Sequence, residues 1–89
     1  MSKSIIFSQN AWEDYLYWQT QDKKTLKRIN QILQDIQRNS SDGIGKPEPL
    51  KGNKSGYWSR RIDDENRITY HETDDAIVIF SCRNHYGDK

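Results

Sequence analysis

The chain has one cysteine, two prolines, five glycines and no long apolar run among its 89 residues. A single cysteine, Cys82, excludes an internal disulfide framework and any zinc site built from several thiolates. The longest apolar run, Ala76-Ile77-Val78-Ile79-Phe80, falls far short of the roughly 18–20 residues that a membrane-spanning helix needs. No hydrophobic segment of signal-peptide type is visible, so the sequence predicts a soluble cytoplasmic protein with no membrane partner. Formal net charge is only +1, and no excess of one sign nominates a ligand. A chain this short holds one core, so residues 1–89 are expected to form a single domain.

Aromatic residues are plentiful instead: three tryptophans, five tyrosines and two phenylalanines. Each can bury roughly 150–250 Å², which makes a small core feasible without covalent staples. Charge is also segregated. Lys46, Lys51, Lys54, Arg60 and Arg61 stand against the single acid Glu48 in one stretch, and Lys23, Lys24, Lys27 and Arg28 cluster in another. The acids gather in Asp63-Asp64-Glu65 and Asp74-Asp75. Such a chain can present a cationic surface to phosphates while remaining almost neutral overall.

Lys3 to Phe7 reads as a short strand. Asn10 followed by Glu13 has the spacing of a helix start, with Trp12, Tyr15, Leu16 and Gln19 on one face. Asp22 can cap a second helix, in which Leu26, Ile29, Ile32, Leu33 and Ile36 give the clearest helical periodicity in the chain. Asn39 to Gly43 stops it, and Gly45 to Gly56 reads as a loop. Tyr57 to Ile62, Arg67 to Glu72 and Ala76 to Cys82 read as antiparallel strands joined by acidic turns. The order βααβββ predicts an α+β fold, with two helices packed on one face of a mainly antiparallel sheet.

Strand alternation separates the side chains further. Trp58, Arg60 and Ile62 share one parity and Tyr57, Ser59 and Arg61 the other. Ile68 and Tyr70 are expected to face the helices, leaving Arg67, Thr69 and His71 opposite. If the last strand stays extended, Arg83 and His85 join Arg61 and Arg67 on the face away from the helices. For Arg60, a packing or cation–π role competes with a place on the cationic surface. Trp12, Tyr15, Trp18 and Trp58 are expected in the core, and His71 in solvent.

No metal-ligand spacing is visible, and Gly43-Ile44-Gly45-Lys46 lacks the length and the hydroxyl residue of a phosphate-binding loop. A Cys82–His85 nucleophilic pair is conceivable, although Cys82 sits in an apolar strand. Metal-free RNA cleavage suits a different set. It needs a base for the ribose 2′-OH, an acid for the departing 5′ oxygen, and cations for the charge gathering on phosphorus. Glu48, His85, Arg67 and either Arg61 or Arg83 supply those chemical types. Residue type and alternation alone leave this as one reading among several.

Longer stretches sharpen it. "AWEDYLYWQTQDKK" (11–24), "GIGKPEPLKGNKSGYWSRRI" (43–62), "ENRITY" (65–70) and "CRNHY" (82–86) together resemble the YoeB branch of the RelE/ParE-type bacterial toxins over nearly the whole chain. The resemblance implies a RelE-like fold and the toxin half of a type II toxin–antitoxin pair. It further implies a ribosome-dependent endoribonuclease that cuts mRNA in the A site and inhibits translation without a cofactor. By the matched motifs, Glu48 would be the general base and His85 the general acid. Arg67 would stabilise the phosphate in the transition state, and Tyr86 would orient the scissile nucleotide. Lys51, Arg60, Arg61 and Arg83 would support RNA binding. The implied partners are the ribosome, mRNA, a YefM-like cognate antitoxin and, in some cases, a second copy of the toxin. Gly87, Asp88 and Lys89 follow the His-Tyr pair at which such chains commonly stop. Readings of another class are a non-catalytic RNA- or protein-binding module and a gyrase-targeting ParE-like toxin.

Overall fold

In the computed structural model, which describes residues 3–50 and 56–84, Ser4–Phe7 form β1, Gln9–Gln21 α1 and Lys23–Arg38 α2. Glu48–Pro49 form β2, Tyr57–Arg61 β3, Arg67–Glu72 β4 and Ala76–Ser81 β5. The strands make one sheet in the order β1-β5-β4-β3-β2. β1 runs parallel to β5, and the other pairs are antiparallel. The expected α+β arrangement, two helices on one face of a mainly antiparallel sheet, is the one observed. No helix among the described residues is long and apolar enough to cross a membrane.

β2 was expected as loop. Two residues are too short for a periodic signal, and Pro49 is tolerated there because β2 is an edge strand. It pairs Glu48 with Ser59 and Pro49 with Trp58, and Leu50 extends the contact by donating its amide to the Tyr57 carbonyl at 2.8 Å.

Ser8, not Asn10, caps α1: its hydroxyl accepts from the Ala11 amide at 3.1 Å and donates to the Phe80 carbonyl at 3.1 Å. Two hydrogen bonds at once, one from a helix amide and one to a β5 carbonyl, outweigh the local cap that Asn10 would make. Asn10 instead donates to the Phe80 carbonyl, and Glu13 accepts from Gln9. Asp22 caps α2 as its position predicts, accepting from the amides of Lys24 and Thr25.

The core lies between the helices and the sheet. α2 contributes Ile29, Ile32, Leu33 and Ile36, and the sheet side contributes Ile62, Ile68, Tyr70, Ile77, Ile79 and Cys82. Each such aliphatic side chain stabilises the fold by roughly 1.5–3 kcal/mol through removal from water. α1 matches expectation at Trp18 and departs from it at Trp12 and Leu16. Its buried residues are Ala11, Asp14 and Trp18, while Trp12 is 45% exposed and Leu16 39% exposed. Small Ala11 lets the helix backbone come close to β5, where its carbonyl accepts from the Cys82 thiol at 3.7 Å.

Candidate active site

Glu48 on β2, Ser59 on β3, Thr69 on β4 and Ser81 on β5 occupy one register row across the sheet. Residues paired across strands point the same way. This row therefore lies on the face opposite Ile68 and Tyr70, which are buried against the helices. One step along, Arg61 pairs with Arg67. Like charges directly opposite one another cost stability, so this row is not built for packing.

Arg67 reaches back over the row. Its Nη1 lies 3.4 Å from Glu48 Oε1 and 3.4 Å from Ser59 Oγ. Both charged side chains remain open to solvent, at 43% and 60%. Arg67, Thr69, Ser81, Arg83, Asn84 and Glu65 line a cleft of ≈ 300 Å³ beside this pair. Arg83 holds its guanidinium 3.6 Å from the centre of the Tyr17 ring, a cation–π contact that fixes it at the cleft wall.

The chain leaves β5 under tight control. The Cys82 amide donates to Asp14 Oδ2 at 3.0 Å, and its carbonyl accepts from Trp18 Nε1 at 2.8 Å. The Asn84 amide then donates to Asn66 Oδ1 at 2.8 Å. Asn66 is itself fixed by Asp63, whose Oδ1 accepts from the Asn66 amide at 2.7 Å. Burial works to raise the Asp63 carboxyl, but the hydrogen bonds from Glu65 and Asn66 outweigh it and hold it below the ordinary carboxylate range. The residue preceding His85 is thus brought to the edge of the cleft that holds Arg67.

Over residues 7–86 the sequence matches the model of the YoeB-like toxin of bacterial type II toxin-antitoxin systems. The chain belongs to this YoeB family. It is 52% identical to the Toxin YoeB of Escherichia coli K12 over 82 residues, covering 92% of this chain and 98% of the relative. It is 56% identical to the Toxin YoeB of a Synechocystis species, covering 92% and 95%. The structure of a YoeB dimer from Staphylococcus aureus superposes with a TM-score of 0.89 at 50% identity, covering 97% of this chain and 100% of that one. A heterotetrameric YoeB-YefM toxin-antitoxin complex from the same species contains an equally similar chain. YafQ of E. coli, at 19% identity and a TM-score of 0.69, shows the RelE-like fold alone.

Of the residues expected at a YoeB-family site, Glu48, Arg60, Arg61, Arg67 and Arg83 are described, and Glu48, Arg67 and Arg83 come together at the cleft or beside it. Arg61 is exposed in the neighbouring row. Lys51, His85, Tyr86 and the segment 87–89 lie outside the described residues. Arg83 does not arrive by strand alternation, because β5 ends at Ser81; the contact with Tyr17 places it.

Arg60 is corrected. Its side chain is fully buried on the helix side of β3, bonded to Asp35, Tyr70 and three backbone carbonyls, so no N–H is left for a phosphate. Trp12 is likewise not core. His71 is not simply solvated: its Nδ1 lies 2.9 Å from the Gly56 carbonyl and its ring packs against Tyr57. Cys82 is no nucleophile. Burial, reinforced by the Asp14 carboxylate, pushes its thiol up to about 12.

Alternation had already put Ser59 and Thr69 on the site face, without a reason to single them out. The register that aligns them with Glu48 and Ser81 depends on β2 and on a β-bulge opposite Thr69 and Tyr70, which leaves Phe80 as the extra residue. Neither has a sequence signature. Asn66 and Asn84, which guide the chain toward the cleft, belong to turns and gave no signal beyond polarity.

Proposed function

We propose that this toxin is a ribosome-dependent endoribonuclease that cuts mRNA in the A site and thereby inhibits translation. The observation that carries the reading is the Glu48 carboxylate beside the Arg67 guanidinium on an open, cation-rich sheet face. Glu48 takes the proton from the ribose 2′-OH, and the 2′ oxygen attacks phosphorus. The bond from phosphorus to the 5′ oxygen breaks, His85 gives that oxygen a proton, and a 2′,3′-cyclic phosphate remains. Arg67 holds the charge that develops on the phosphate, where a fixed guanidinium is worth more than mobile water. Its present contact with Glu48 is long and exposed, and such pairs contribute about 0–1 kcal/mol. A substrate phosphate can therefore take over Arg67 at little cost. Tyr86 orients the scissile nucleotide, while Lys51, Arg61 and Arg83 hold neighbouring phosphates.

Restraint falls to a YefM-like antitoxin, and assembly of two toxin chains belongs to the same reading. Support comes from the YoeB-YefM complexes and the YoeB dimer among similar structures. Action on ribosomes places the protein in the cytoplasm.

Translation of a defined message on purified ribosomes, followed by mapping of mRNA 5′ ends, tests the reading. Breaks within the A-site codon are expected. Intact message at a stoichiometric dose would defeat it, and gyrase-linked DNA breaks in its place would favour a ParE-like activity.

A further inference from the structure

The guanidinium of Arg60 has five N–H donors, and five acceptors surround it. Nε donates to Tyr70 Oη at 3.1 Å; Nη1 donates to Asp35 Oδ2 at 2.5 Å and to the Ile44 carbonyl at 3.2 Å. Nη2 donates to the carbonyls of Asn39 at 2.5 Å and Asp42 at 3.0 Å. Around this centre, Tyr70 Oη donates to the Ser40 carbonyl at 2.6 Å, and the Ile44 amide donates to Asp35 Oδ2 at 3.0 Å. The whole connection leaving α2 is wrapped onto one buried side chain.

Its backbone is fitted to that centre. Gly43 has φ +131°, and a Cβ there would collide with Asp35 Oδ2. Gly45 has φ +82°, and a Cβ there would lie 2.9 Å from the Arg61 carbonyl. Its own carbonyl accepts from the Arg61 amide at 2.6 Å. Lys46, at φ +52°, holds a left-handed conformation that a lysine rarely adopts. Glu48 follows two residues later.

Stability alone does not account for this arrangement. A buried ion pair is often no more stable than well-packed apolar side chains in its place. What the network does provide is a fixed exit from residues 39–45, immediately before a strand of only two residues that pairs on one side. β2 has too little ladder of its own to hold a carboxylate still. We propose that the Arg60–Asp35 pair is a positioning device for Glu48, anchoring the 39–45 connection so that β2 presents the carboxylate to Arg67. The proposal rests on Glu48 being the general base.

Asp35→Asn tests it with minimal change in shape, since Arg60→Ala risks unfolding the chain. Hydrogen exchange comes first. The amides of Leu50 and Arg61, which tie β2 and Gly45 to β3, should lose protection at least tenfold, while β4–β5 amides keep theirs. Loss spread equally over β4–β5, or none anywhere, overturns the proposal. Single-turnover cleavage on ribosomes is the second reading. Asp35→Asn should slow the chemical step at least tenfold with KM little changed. Placed in Glu48→Gln it should slow cleavage no further, yet in His85→Gln it should still do so. Equal slowing in both backgrounds would show general damage and overturn the proposal. If the wild-type toxin leaves mRNA intact, the nuclease reading fails by itself, and the exchange pattern alone decides whether the pair orders β2.

Discussion

Glu48 Oε1 stands 3.4 Å from Arg67 Nη1, although β3 lies between their strands. Strands sit ~4.8 Å apart, so the arginine must span a full strand to arrive. It can do so because Ser59, the residue in between, is small and meets the same Nη1 with its hydroxyl. The Glu48 carboxylate and its cation are therefore set by three consecutive strands, and each supplies one residue. Nothing in this contact is needed to hold the sheet together.

That separation of roles makes Glu48→Gln informative. Loss of the proposed base should lower the proposed A-site cleavage by about 10²–10⁴-fold. Stability should change by no more than about 1 kcal/mol, because the carboxylate is exposed and its ion pair is weak. Cleavage rate and urea midpoint, measured on the same preparation, check both halves. A large loss of stability would mean that the carboxylate serves the fold.

Arg61 and Arg67 face each other across β3 and β4, an arrangement that opposes folding. Arg61→Thr should therefore raise stability by about 0.2–1 kcal/mol, since it relieves a like-charge pair and suits a strand. The same change should weaken RNA engagement, seen mainly as a higher KM on programmed ribosomes. A variant that is more stable and less active is expected; one that loses stability would count against the repulsion.

How far the sequence disclosed these features depended on their physical range. The α2 stripe from Ile29 to Ile36 was plain because a single period links residues that are buried together. Alternation placed Ile68 and Tyr70 inward and Arg67 outward for the same reason. In α1 the sequence points to Trp18 but not to Ala11 and Asp14, because burial there is decided by contact with the end of β5: all three serve the Cys82 region 64 to 71 positions away in sequence. Arg60 shows the same limit. Its parity put it among core residues, but the carbonyls that receive it come from a loop whose path no local rule describes. Motif resemblance nominated Glu48 where the strand pattern could not, since β2 is two residues long.

Cys82 should behave as a sealed thiol. Burial, with the Asp14 carboxylate adding to it, raises its pKa to about 12, leaving almost no thiolate near pH 8. The native protein should react with a disulfide reagent at least 100-fold more slowly than the same chain in denaturant. Rapid native labelling would contradict the tight contact between α1 and the end of β5.

Acid should loosen the fold through a small group of carboxylates. Burial tends to raise Asp35, yet the hydrogen bonds from Arg60 and the Ile44 amide outweigh it and hold the carboxyl below its ordinary 3.8. Hydrogen bonds from Lys3 and then Ser40 hold Glu72 below its ordinary 4.5. A carboxyl whose folded pKa is depressed contributes stability that is fully present above its unfolded value and lost as pH falls through the folded one. Tm should therefore stay level from pH 7 to about 5 and then drop progressively below about 4.5. Asp35→Asn removes one of these titrations, so the variant should start less stable at pH 7 and lose less on acidification. Melting curves of both proteins between pH 3 and 7 would show the two profiles converging at the acid end; parallel profiles would mean that Asp35 keeps an ordinary pKa in the folded chain.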